Sequence, residues 1–279
     1  LKEFLRKYET WVDNEEGAFK GLPEIYKDVF DEQMNNVRHV IHRIFNSISF
    51  LENDPNALKA FKLANETMYK QAIWSGIENY EWRPFQMGFL LLALEPTLNT
   101  NSKFRDEVDL LWFPTGGGKT EAYLFLTAVL LFYRKFERGS LAEHDGLAMI
   151  TRYTLRALTL DQFKRLSTVV LSAEIVRNEY LKKNGEKVPL DTSFSIGIWV
   201  GGDATPNTYN DAVEDNRNNH MVISECPCCK QELIWKDLND RFLAKVRNRS
   251  KACEISKHLE FLLKLKVIDT IYMKTQHKK

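Results

Sequence analysis

FPTGGGKTEAYL occupies residues 113 to 124. Three consecutive glycines run into a lysine and a threonine, and a long apolar stretch follows. The run before it, VDLLWF at 108 to 113, is short and apolar and has the composition of a buried strand. A strand, a glycine-rich turn and a helix form the context that a phosphate-binding loop requires. Glycines let backbone N–H groups turn toward an anion with no Cβ in the way. The N-terminus of the helix that follows adds partial positive charge at the same place. Lys119 then supplies a point charge for the β and γ phosphates, and Thr120 a hydroxyl for Mg²⁺. The common spacing GxxxxGK[ST] begins with glycine, where this chain has Phe113, but TGGGKT is intact. A glycine turn carrying a surface lysine is the bland alternative, and the flanking strand and helix argue against it. The candidate nucleotide set is Thr115, Gly116, Gly117, Gly118, Lys119, Thr120 and Glu121, with Lys119 and Thr120 as the catalytic pair. The expected ligands are ATP and Mg²⁺.

Outward from the loop the pattern alternates. RPFQMGFLLLAL, from residue 83, has the composition of a buried helix. A helix is expected from Lys119 to about Arg138, a strand at LAMIT (147 to 151), a helix through LRALTLDQFKRLSTVVLSAEIVRNEYL, and a strand at FSIGIWVGG (194 to 202). Such alternation argues for βαβ units and a parallel sheet. Residues 1 to 80 are expected to be a helical region. Val37, Val40, Ile41, Ile44, Ile48 and Leu51 recur at three- and four-residue steps, and Asp54-Pro55 is a helix start with Asp as cap and Pro in first position. Leu58, Phe61, Met68 and Ala72 then make that helix's apolar face. Residues 81 to 224 would be the nucleotide-binding domain, and 225 to 279 a cysteine-containing segment and tail.

Bulk composition excludes several classes. Of 279 residues, 44% are apolar, a globular proportion. Lys plus Arg number 39 against 38 Asp plus Glu, so net charge carries no argument for a nucleic-acid partner and only local patches could. The longest apolar run, LFLTAVLLFY, falls far short of the roughly 20 residues that span a bilayer. No signal peptide is evident, so a soluble cytoplasmic protein with no membrane partner is expected. The chain opens on Leu1 and is expected to be a piece of something longer.

Three further stretches narrow the class. Arg83-Pro84-Phe85-Gln86 lies upstream of the loop. Alone it would be a helix start with proline at the first position. Paired with this loop it resembles the Q-motif of superfamily 2 helicases, in which a glutamine amide, donor and acceptor at once, reads the adenine edge. TRYTLRALTLDQ (151 to 162) resembles motif Ia of that superfamily, which would put Arg152, Thr154 and Arg156 on a nucleic-acid backbone; a solvated helix start is the alternative. Gly201-Gly202 resembles the glycine pair that follows motif Ia, where DNA approaches closely, and a plain loop is the alternative.

The wording from ANETMYKQ through WRPFQMGFLLLAL, VDLLWFPTGGGKTEAYL, RYTLRALTLDQF and SIGIWVGGDATPN to CPCC resembles the DrmA-type helicase subunits of DISARM anti-phage systems, over residues 60 to 235. The resemblance implies a RecA-like P-loop domain and an ATP-dependent DNA helicase or translocase. It also implies work with a DISARM partner protein and a DNA methyltransferase.

Three of the four cysteines stand in CPCC at 226 to 229. Cys226 and Cys229 have the spacing of a zinc knuckle, and Cys253 and His258 are the later candidates for the remaining ligands. Free thiols whose partners lie elsewhere are the alternative. An acidic pair closing a strand, needed to hold Mg²⁺ and orient water, is not evident. KLKVIDTIYM is the nearest shape and a poor one. A non-catalytic adaptor in the same complex therefore stands beside the motor reading. A P-loop kinase or transporter ATPase is a third, against which RPFQ and TLRALTLDQ both argue.

Overall fold

The structure, a computed structural model, describes residues 1–21, 23–114, 116–137, 146–154, 156–184, 193–198, 224–226, 228–237, 242–246 and 263–265. It is predominantly helical. Helix α1 spans Lys2–Ala18, α2 Lys27–Asn53, α3 Pro55–Trp74, α4 Pro84–Leu98, α5 Lys119–Glu137 and α6 Arg156–Asn184. Three short strands follow, β1 Leu233–Asp237, β2 Phe242–Val246 and β3 Leu263–Leu265. The chain divides into two compact units. One holds Leu1–Asn65 and Glu81–Ala148, the other Glu66–Tyr80 and Met149–Lys279, the division falling inside α3.

The first unit is a helical assembly built on faces that the periodicity marks out. On α2, Ile41, Ile44, Ile48 and Leu51 are buried. Asp54 caps α3: its Oδ1 accepts the N–H groups of Asn56 at 2.8 Å and Ala57 at 2.9 Å, two of the donors a helix start leaves over. Its other oxygen accepts the Tyr133 hydroxyl at 2.9 Å, which ties α5 to the start of α3. Burial, and then that bond to a carboxylate, push the Tyr133 phenol above its ordinary pKa. Leu58, expected on the apolar face of α3, is exposed. The apolar run of α5 is core: Phe125, Ala128, Val129 and Phe132 have no exposed surface. Phe125 meets Phe61 edge-on at 5.3 Å and stacks on Trp82 at 4.7 Å.

Helices α2 and α4 meet around a proline. Pro96 lies in the last turn of α4 and has no N–H to give the carbonyl of Leu92. Arg43 of α2 makes up for it, donating from Nη2 to that carbonyl at 3.3 Å. Ser47 accepts the neighbouring Glu95 N–H at 2.9 Å. The Arg43 guanidinium, only 4% exposed, also forks onto both carboxylate oxygens of Asp109 at 2.6 and 2.8 Å and reaches Glu107 at 3.0 Å. A hydrogen bond with His39, with Arg43 nearby, holds the Glu107 carboxyl below its ordinary pKa. These bonds fasten the segment that runs into the glycine loop.

The second unit is carried by α6. Val169, Ala173, Ile175 and Val176 are buried, and the Ser172 hydroxyl donates to the Thr67 carbonyl at 2.8 Å. Glu174 and Arg177, both buried, pair at 2.8 Å, and Glu174 accepts the Phe194 N–H. Strands β1, β2 and β3 form an antiparallel meander in that order, with Leu233 opposite Val246 and Phe242 opposite Leu265.

The expected RecA-like domain with a parallel sheet is not found, and the fold class read from the sequence is corrected to a helical one. Among the described residues, 108–113, 147–151 and 194–198 form no strand, and the three strands that do form are antiparallel. An apolar run becomes a strand only when another backbone lies about 4.8 Å away to take its N–H and C=O groups. For 108–113 no such neighbour is found among the described residues. Val108, Leu110 and Trp112 are 96%, 85% and 87% exposed, the opposite of a central strand.

Candidate functional site

The loop expected to bind phosphate lies in the first unit, at the N-terminus of the 19-residue helix α5. The first four N–H groups of such a helix have no carbonyl within it to bond. Gly118 precedes the helix with φ +89°, a conformation that L side chains rarely adopt. A Cβ there would stand 2.6 Å from the Gln86 amide nitrogen. Gly117 is glycine for a different reason, since a Cβ on it would stand 2.6 Å from the ring of Phe113. That ring stacks in turn on Phe85, with centroids 3.7 Å apart and planes 11° from parallel. Phe113 therefore fills a layer between α4 and the loop at the position where the common pattern has its first glycine.

The loop's polar groups are partly committed to the protein. The Lys119 ammonium donates to the carbonyl of Phe113 and, at 3.1 Å, to that of Pro114. An ammonium has three donors, so one remains for an anion. The Gly117 N–H is spent on the Pro114 carbonyl at 3.2 Å, while no backbone bond is drawn from the Gly116 or Gly118 N–H among the described residues. Thr120 shares a hydrogen bond with the Tyr123 hydroxyl at 2.9 Å. Its oxygen keeps a lone pair for a hard cation, so the residues present fit Mg²⁺ beside a triphosphate. Glu121 stands in the first turn of α5, with Oε2 3.3 Å from where a Gly118 Cβ would be.

The first turn of α4 reaches this loop from the other side. Gln86, 5% exposed, accepts the Arg83 N–H at 2.9 Å and donates to the Gly118 carbonyl at 2.8 Å. Arg83 donates from Nη1 to the Gly117 carbonyl at 2.9 Å. Arg83 and Gln86 of RPFQ thus both contact the loop, and both contacts are to its backbone. The parts of Phe85 and Phe113 were not read from the sequence. Their signal was the aromatic residue standing where glycine is usual.

The remaining candidates belong to the second unit or fall outside the described residues. Arg152 and Thr154 are exposed in the second unit, and Arg156 opens α6. Thr115, Gly201, Gly202, Cys253 and His258 lie outside the described residues. Cys226 is buried and Cys228 and Cys229 partly so. They sit on a tight turn closed by the Lys230 N–H on the Cys226 carbonyl at 2.8 Å and flanked by a bridge between Glu225 and Glu232. Cys226 and Cys229 fit one edge of a zinc site, while among the described residues no three ligating side chains gather. No helix among the described residues is long and apolar enough to cross a membrane.

No protein-family model matches the chain. Over 286 aligned residues it is 34% identical to the DISARM protein DrmA of Bacillus paralicheniformis. The match takes in 90% of this chain, which spans 24% of that relative's length.

Proposed function

Because this chain is a relative of DrmA, we propose that it serves a DISARM-type anti-phage defence system as the nucleotide-binding part of an ATP-dependent DNA helicase or translocase. ATP binds through its phosphates at Gly116 to Thr120. Lys119 gives its remaining N–H to the β and γ phosphates, and the N–H groups at the start of α5 meet the same charge. Mg²⁺, held by the Thr120 hydroxyl, supplies neutralisation of that charge. DNA runs along Arg152 and Arg156, and the other subunits of the defence complex, a DNA methyltransferase among them, are its protein partners.

The observation that carries this reading is the seat of Lys119: first residue of a long buried helix, its ammonium folded over the loop carbonyls of Phe113 and Pro114. A surface lysine would extend into solvent. This one is held where a terminal phosphate would replace or join the carbonyls.

Titration of the purified chain with Mg-ATP, by calorimetry or a fluorescent analogue, tests it. Saturable binding is expected, weakened about 10- to 100-fold by Lys119→Ala, the loss of a charged hydrogen bond. Absence of binding, or equal affinity in the variant, would overturn the nucleotide reading. If Lys119→Ala leaves both nucleotide affinity and assembly with partner subunits unchanged, the chain is an adaptor.

A further inference from the structure

Gln86 uses both ends of its amide on the protein. Its carbonyl oxygen takes the Arg83 N–H, and its NH₂ group holds the Gly118 carbonyl. Arg83 holds the Gly117 carbonyl next to it. Phe85, between them in sequence, carries the ring that stacks on Phe113, which lies against Gly117. Three side chains from the start of α4 therefore hold the loop, two at successive carbonyls and one at the Phe113 ring that lies against Gly117.

A trans peptide is planar, and its C=O and the following N–H point in opposite directions. Fixing the Gly117 carbonyl toward Arg83 turns the Gly118 N–H away from α4. Fixing the Gly118 carbonyl toward Gln86 turns the Lys119 N–H the same way. The two carbonyl bonds thus set the direction of two donors that would meet an anion. Glycine has no preferred φ of its own, so an unheld GGG sequence would spend most of its time with those donors scattered.

We propose that the first turn of α4 is a clasp that preorganises the phosphate site, in which Gln86 is a positioning residue acting through the Gly118 peptide, with Arg83 and Phe85 as its companions. This rests on the nucleotide-binding reading above. It differs from base recognition in one consequence: the clasp serves any ligand bearing the phosphates, whatever its base.

The test compares wild type, Gln86→Met and Phe85→Leu for binding of Mg²⁺ complexes of ATP, GTP and inorganic tripolyphosphate, with thermal unfolding followed in parallel. Gln86→Met keeps the side chain's length but can neither donate to Gly118 nor take the Arg83 N–H. Phe85→Leu removes the stack and touches no polar group. The expected result is a loss of about tenfold for Gln86→Met, the value of the one neutral hydrogen bond that Gln86 makes to the loop, equal for all three ligands. A loss in the same direction, also equal across the ligands, is expected for Phe85→Leu. A loss confined to ATP, with tripolyphosphate unaffected, would overturn the clasp and make Gln86 a reader of adenine. Undiminished binding of all three by both variants would also overturn it. Failure of the wild type to bind any of them defeats the nucleotide reading itself, a different outcome from either.

Discussion

Gly117 and Gly118 are adjacent and alike in sequence, yet different forces hold each of them to glycine. At 118 the backbone conformation excludes a side chain before any neighbour is considered. At 117 the backbone is ordinary and the closest obstacle is the ring of Phe113, 2.6 Å from the would-be Cβ, with the Pro114 carbonyl oxygen next at 3.1 Å. Gly117→Ala should therefore displace Phe113 from Phe85 and weaken Mg-ATP binding by about tenfold or more, since the clash must be relieved by moving the ring or the loop. Phe113→Gly in the same chain removes the closest obstacle, and the double variant should bind better than Gly117→Ala alone. Additive losses in that cycle would contradict a steric origin. No such rescue is expected for Gly118→Ala, where the strain is in the backbone itself.

At the scale of elements, the loop is held by what precedes it as much as by α5. Arg43 joins α2 to the last turn of α4 and to Asp109, a few residues ahead of Phe113. Its guanidinium is nearly out of water and faces two carboxylates. Removing it leaves Asp109, 19% exposed, and Glu107 without their common cation, and leaves the Leu92 carbonyl without the donor that compensates for Pro96. Arg43→Ala should destabilise the protein by about 3–5 kcal/mol, read as a lowered urea midpoint. Lysine should not restore it, because a single ammonium cannot fork onto Asp109 while reaching Leu92. The helices themselves were well marked in the sequence. The Asp54 cap, the face of α2 and the extents of α5 and α6 follow from local chemistry. A cap needs one carboxylate two or three residues from an N–H, and a helix face needs only its own spacing. The bond from Arg43 to Asp109 spans 66 residues and left no periodic trace.

For the whole molecule, charge is close to balanced, with 39 basic side chains against 38 acidic. Long-range attraction to DNA would therefore contribute little, and the proposed binding would come from a local patch. If Arg152 and Arg156 each neutralise one phosphate of a single strand, log affinity should fall with log salt with a slope of about −1.4. The double variant Arg152→Ala, Arg156→Ala should abolish most of that slope. Affinity of the unaltered chain that ignores salt would exclude the proposed DNA path. The sheet is where sequence pattern misled. VDLLWF, LAMIT and FSIGIW have strand composition, but among the described residues none of them forms a strand, and composition alone does not make one.

What the sequence determined alone was local: where helices start and which of their faces are apolar, and that a lysine opens α5 behind three glycines. Each depends on residues within a few positions of one another. Tertiary structure decided the rest. It put Gln86 and Arg83 on the carbonyls of Gly118 and Gly117, filled a missing glycine's place with a stacked pair of rings, and left the apolar segment at 108 to 112 exposed rather than paired. Backbone hydrogen bonds between distant segments depend on which chains come to lie side by side, and no stretch of sequence carries that information by itself.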